Sequence, residues 1–279
     1  MKTSITKQNR FGGKVKYLIV AVIWLTIWEV SAVLANDPIL FVPPHRGFVT
    51  FFKLASTWEF WKTVLTSVLR VLSGFVLGYI STALLSFCAY RSSFIKTFIT
   101  PIINIIKATP VASFIIVMLM WAGKNFVPIF ICVLMVTPIV WSNVLEGLMS
   151  VDKNLLEMAD VYKMTTSEKI KHIYIPSLIP YNAAAVDSGL GLCWKAGVSA
   201  EVICRTIPSI GNSIWETKFY VITDELFAWT TMVVLLSLIF DWILSHAMNK
   251  VFRNYAVQKD FMRLTEDHDE LKSGIEVDV

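Results

Sequence analysis

NFVPIFICVLMVTPIVWSNVL, residues 125–145, carries no charged side chain along its whole length. A bilayer's hydrocarbon core takes about 20 apolar residues of helix, because lipid offers the backbone N–H and C=O groups no partner outside the segment. A helix of that length in a water-soluble core would keep a polar face. This stretch therefore predicts a transmembrane helix, and it sets the class of the whole chain.

Five more apolar runs lie on either side of it. Residues 17–35 hold Glu29 as their only charge. Residues 71–90 are entered through Arg70. Residues 97–123 are interrupted by Pro101, Lys107 and Pro110. Residues 177–203 are weaker, with Asp187, Lys195 and Glu201 inside them, and residues 226–248 contain Asp241. The expected fold is all-α, a polytopic membrane protein with six transmembrane helices. The first run also has features of a signal peptide, with Lys14 and Lys16 before it and Val33-Leu34-Ala35 at its end. It is longer than a usual signal core and five apolar runs follow, so a retained helix is expected.

An even number of spans puts both termini on one side. If that side is the cytoplasm, sixteen of the 25 lysines and arginines fall on inner segments and six on outer ones. Such an excess of basic residues marks the cytoplasmic face. The expected divisions are a cytoplasmic segment at 1–16, a transmembrane domain at 17–250 and a cytoplasmic tail at 251–279. The tail is acidic and has too little apolar content to fold alone.

The chain has 279 residues, of which 55% are hydrophobic and 16% charged, and a formal net charge of +4. That balance gives no case for a nucleic-acid partner. The cysteines Cys88, Cys132, Cys193 and Cys204 form no C-x-x-C pair, and the four histidines are scattered. No metal site, cofactor or catalytic cluster is expected, and no G-x-x-x-x-G-K-[ST] loop is present to cradle nucleotide phosphates.

The inner loop at 146–176 is unusually long for a connection. Asp152 can cap a short helix with Leu155, Leu156, Ala159 and Tyr162 at helical spacing. Thr165 and Glu168 form a capping box for a second helix, which Ile170 and Ile173 make apolar on one side. Pro176 is expected to stop it. Two capped, partly apolar helices suit docking on a soluble partner; an amphipathic loop lying on the membrane surface is the plainer alternative.

Glu157-Met158-Ala159-Asp160-Val161-Tyr162-Lys163, continuing to Ile173-Tyr174-Ile175-Pro176, resembles the EAA loop of ABC importer permeases. Glu157, Ala159, Ile173 and Pro176 match that pattern, whereas Lys163 stands at its glycine. Ser67 to Phe75 looks like the second-helix signature of the nitrate, sulfonate and taurine group. Lys107 to Ala112 sits where that group has R-x-x-P. Trp194 to Glu201 resembles its aromatic-to-Ala-Glu stretch, and Gly211 stands at the end of its G-L-G. Thr223 to Ala228 and Asp241 extend the likeness.

The resemblance implies a membrane-spanning permease subunit that hydrolyses no ATP itself. Its partners would be cytoplasmic ABC ATPase subunits, an extracytoplasmic solute-binding protein and a second, identical copy, a homodimer in the lipid bilayer of the plasma membrane. The solute would be small and anionic or heterocyclic. Leu155, Leu156, Ala159 and Tyr162 would be the knobs that fit the ATPase, and Glu157 would pair with a basic residue there. Lys163, Ile173 and Pro176 would complete the coupling element. The fifth helix, with Ser188, Gly191, Lys195, Ser199 and Glu201, is expected to line the path. Lys107 or Lys195 could attract an anion. Pairing or snorkelling is the simpler expectation for Arg70 and Lys107, taken to lie near cytoplasmic helix ends. A secondary carrier or channel would account for the helices but not for the capped loop.

Overall fold

The computed structural model describes residues 10–35 and 41–247. Eleven α-helices and one π-helical turn take up most of these residues. In chain order they are α1 (Arg10–Ala35), α2 (Pro44–Ala55), α3 (Trp58–Arg91), α4 (Ser93–Ala108), α5 (Val111–Trp121) and α6 (Val127–Met149). They continue with α7 (Lys153–Val161), α8 (Thr166–Lys169), a π-helical turn (Ile170–Tyr174), α9 (Ile175–Cys204) and α10 (Ile210–Phe219), then α11 (Thr223–Ala247). Among the described residues, α3, α6 and α11 are each long and apolar enough to cross a membrane, and α4 with α5 qualifies as a bent pair. The apolar part of α1, Ile19–Ala35, is shorter, and α9 is the more polar helix that its three charges predicted.

Helix α6 packs between α3 and α9, and small residues set how close they come. On α3, Gly74, Gly78, Thr82 and Ser86 recur every fourth residue and so share one buried face. A Cβ on Gly74 would lie 2.6 Å from the Cβ of Cys132 and 2.7 Å from the carbonyl oxygen of Ile129. One on Gly78 would collide with Val136. Helix α9 repeats the device with buried Ala185, Gly189, Cys193 and Gly197. Backbones that approach this closely gain dispersion contacts that lipid tails cannot replace. Phe60, Val71, Phe75, Val140, Trp194 and Trp229 belong to the cluster built around this contact. The indole Nε1 of Trp194 donates to the Val233 carbonyl at 3.1 Å and ties α9 to α11.

Gly78→Leu should therefore destabilise the bundle by about 1–3 kcal/mol or more. Gly123→Ala, whose Cβ would meet nothing within 4 Å, should be silent. Thermal unfolding of the two purified variants compares them directly.

Three expectations need correction. The second apolar run does not begin a helix at residue 71; α3 starts at Trp58, and Arg70 lies well inside it. Only Pro110 breaks the third run. It lacks an N–H and forces Thr109 into extended backbone, so α4 and α5 meet at 105°, while Pro101 and Lys107 stay within α4. Pro176 does not stop the second loop helix. Helix α8 passes through the wide π turn into α9, and Pro176 sits in the first turn of α9. The i→i+5 bonding of a π turn relaxes the ladder where a proline ring would otherwise clash.

Helix α2 is amphipathic and is held at both ends of the chain's described part. His45 Nδ1 lies 2.6 Å from Glu29 Oε1 on α1, and Arg46 pairs with Asp224 on α11 at 2.7 Å. The expected tail at 251–279, residues 1–9 and the end of the sixth run at Met248 lie outside the described residues.

Candidate functional site

The loop between α6 and α9 is a small structure with its own core. Asp152 accepts the Asn154 N–H at 2.9 Å and caps α7. The carboxylate of Glu168 accepts the Thr165 N–H at 2.7 Å and its hydroxyl at 2.8 Å, and the Thr165 hydroxyl accepts the Glu168 N–H. These bonds hold the Glu168 carboxyl below the usual carboxylate range, the backbone N–H contributing most. Both expected caps are thus present.

Helix α7 ends in a Schellman closure. Met164 N–H bonds to Ala159 O at 2.9 Å and Lys163 N–H to Asp160 O at 3.0 Å. That closure needs a left-handed residue, and Lys163 supplies it at φ 53°. A side chain with a Cβ pays for this conformation with about 1 kcal/mol that glycine avoids. Lys169 pairs with Asp160 and clips α8 to α7.

The apolar residues of α7 divide between two faces. Ala159 is fully buried against Val151 and Ile173, with Leu156 and Met164 packed on them. Ala159 and Leu156 therefore face the chain's own core and are not free knobs. The exposed apolar face consists of Leu155, Met158, Val161 and Tyr162, with Glu157 and Lys163 exposed beside it. Met158 and Val161 are not among the knobs expected from the sequence, although their spacing from Leu155 and Tyr162 was there to read.

Helix α9 also has two faces. Ser188, Leu192, Lys195 and Ser199 are exposed at spacings of four, three and four, and make one stripe, with Gly191 half-buried at its edge. Gly189, Gly197 and Ala200 point the other way, into the packing described above. Glu201 joins that inner side and is fully buried. Its Oε1 lies 2.5 Å from Arg70 Nη1, and its Oε2 accepts the Ser67 hydroxyl at 2.8 Å and the Gly211 N–H at 3.3 Å. The Ser67 oxygen in turn accepts the Ile210 N–H at 2.9 Å. Gly211 is required here, since a Cβ would strike Glu201. Glu201 therefore does not border the exposed stripe. It joins α3 and α9 to the start of α10, and Arg70 pairs rather than snorkels.

Where the stripe meets α6 and the α4–α5 break, a cleft of about 500 Å³ opens. Lys107, Thr109, Ser142, Asn143 and Ser188 supply its polar lining, among apolar residues such as Met135 and Leu192. Lys107 Nζ donates to Ser142 Oγ at 3.1 Å. Ser142 and Asn143 were passed over in an uncharged run, yet paired polar side chains in so apolar a helix were the available signal.

The family described as binding-protein-dependent transport system inner membrane component matches residues 74–253. The chain is 28% identical over 211 residues to the nitrate import permease protein of Synechococcus elongatus, covering 72% of this chain and 75% of that protein. It is 24% identical over 160 residues to the bicarbonate transport system permease protein of the same species, 56% of each. An inward-facing structure of the MetNI methionine ABC transporter shares the fold, with a TM-score of 0.52 at 16% identity over 70% of this chain and 93% of that one. The family match begins in α3, runs through the capped loop and both faces of α9, and takes in well over half of the chain. The chain belongs to the family of binding-protein-dependent transport system inner membrane components.

Proposed function

We propose that this ABC importer permease works as a homodimer that passes a small anionic solute inward along its α9 faces, driven by ATPase subunits docked on the α7 loop. The observation that carries the proposal is the loop itself. It presents Leu155, Met158, Val161 and Tyr162 outward while its inner face is satisfied by its own core. An exposed apolar helix face on a capped, rigid element suits a groove on a partner. Glu157, exposed beside it, would pair with a basic residue of that groove. Ile173 anchors the loop core, Lys163 closes α7, and Pro176 marks the entry to α9.

The basic-residue count favours six spans with both termini and the loop in the cytoplasm. On that topology the Arg70–Glu201 pair lies toward the outer surface and the cleft toward the inner half. Residues 1–16 and 251–279 would flank a transmembrane domain at 17–250. The names of the nitrate and bicarbonate relatives favour an anionic solute. A solute-binding protein would deliver it from outside. One coupling loop per chain and two ATPase sites that close together call for a second copy with C2 symmetry.

Intact-mass measurement of the complex purified through this chain tests the proposal. Two copies of the chain with two ATPase subunits are expected. One copy beside a different membrane subunit would replace the homodimer by a heterodimer. Uptake by the chain in vesicles without any ATPase would make it a secondary carrier.

A further inference from the structure

We infer that the cleft at the α4–α5 break is an anion-binding site within the membrane subunit, with Lys107 as its central ligand. The inference deepens the proposed function and rests on it. A lysine within an apolar segment is costly unless it pairs or serves a passing charge. Among the described residues, Lys107 has no carboxylate within ion-pair distance; its Nζ partner is the neutral Ser142 hydroxyl. Among the described residues, no acidic side chain lines the cleft.

The donors are suited to oxygen atoms. Ser142 and Thr109 already donate to the Pro138 and Ile105 carbonyls, which leaves their oxygens as acceptors. The lysine therefore has one hydroxyl to hold it in place and two further N–H groups to offer. Asn143 gives one amide N–H to Ile139 and keeps the other. Ser188 adds a hydroxyl from α9. The break adds a further element. Helix α5 starts at Val111 behind Pro110, which has no side chain to cap it, and Val111 itself lines the cleft. The positive end of that helix thus opens on the same space as the ammonium. A volume of about 500 Å³ takes a small organic or inorganic oxyanion with some of its water.

The site also continues a route. Ser188 and Leu192 belong to both the cleft and the exposed stripe of α9, and Lys195 stands farther along that stripe. An anion moving down α9 would meet Lys195 first and Lys107 second. Two cations in sequence lower the energy of the charge along the path without trapping it at one point.

The test uses the assembled complex in detergent, with sodium nitrate and sodium ethanesulfonate as probes and sodium gluconate as the bulky control. Both probes should raise the thermal stability of the wild-type complex. Lys107→Met should weaken their apparent affinity about tenfold or more, while Lys107→Arg keeps most of it. Lys96→Gln, which removes a half-buried lysine outside the cleft, should leave the protection intact. Ser188→Leu narrows the cleft from its exposed side and should weaken protection independently, which covers the case in which Lys107→Met fails to assemble. Undiminished protection in Lys107→Met, or in Ser188→Leu where Lys107→Met fails to assemble, overturns the site and leaves the permease reading standing. Failure of the wild-type chain to assemble with any ATPase overturns that reading instead.

Discussion

Arg70→Ala should leave little folded protein in the membrane, whereas Arg70→Ala combined with Glu201→Gln should recover part of the loss. The guanidinium is 10% exposed and the carboxylate 0%, so the single change strands a buried anion. Removing one partner of such a pair destabilises by about 3–5 kcal/mol, mostly through the charge left behind. Glutamine removes that charge. Its side-chain oxygen can still accept from Ser67 and from the Gly211 N–H, the two bonds that join α9 to α3 and α10. Glu201→Gln alone should fall between wild type and Arg70→Ala, because Arg70 keeps the Pro208 carbonyl and some solvent. Recovered yield and thermal midpoint of the three variants form a double-mutant cycle. Equal losses in Arg70→Ala and in the double variant would show that the pair acts through something other than its charge.

Glu157→Lys should abolish coupled uptake while leaving the permease folded. Glu157 is exposed, and its reversal disturbs neither the Ala159–Ile173 core nor the caps at Asp152 and Thr165. At an interface with a basic groove, like charges in contact cost several kcal/mol, on the order of a hundredfold in productive docking. Proteoliposome uptake should fall by that order. The thermal midpoint of the isolated permease should not move. Normal uptake by the variant complex would take Glu157 out of the coupling surface.

The sequence made the class of fold legible because lipid permits so few solutions: long uncharged runs had to be helices. The caps of α7 and α8 were equally legible, since Asp152 and the Thr165–Glu168 pair act over three residues. What escaped was anything decided by facing. Gly197 and Ser199 looked alike as small residues, but one meets Val71 and Cys132 and the other lies on the exposed stripe. Glu201 looked like Lys195 as a charge in a helix, yet its partner Arg70 comes from 131 positions away in the chain. Lys107 was discounted for its place near a helix end, because the cleft that gives it meaning exists only once Pro110 has turned α5 away. The Gly74–Gly78 spacing was a local signal for close packing and could have been read.

The passage from α8 through the π turn into α9 has a mechanical consequence. From Thr166 to Cys204 the backbone is helical throughout, with no non-helical residue between the loop and α9; Pro180, inside α9, removes one bond of its ladder. A helix is stiff along its axis and in torsion, so a tilt imposed at Lys169 is carried along α9 toward Ser188 and Lys195. The π turn makes one coil wider than its neighbours, and so offsets the angular phase of α8 against α9. Rotation of α8 and rotation of the exposed stripe of α9 are thereby geared with a fixed offset, as two toothed wheels keyed on one shaft. A residue inserted or deleted between Ile170 and Tyr174 would keep the shaft but change its timing.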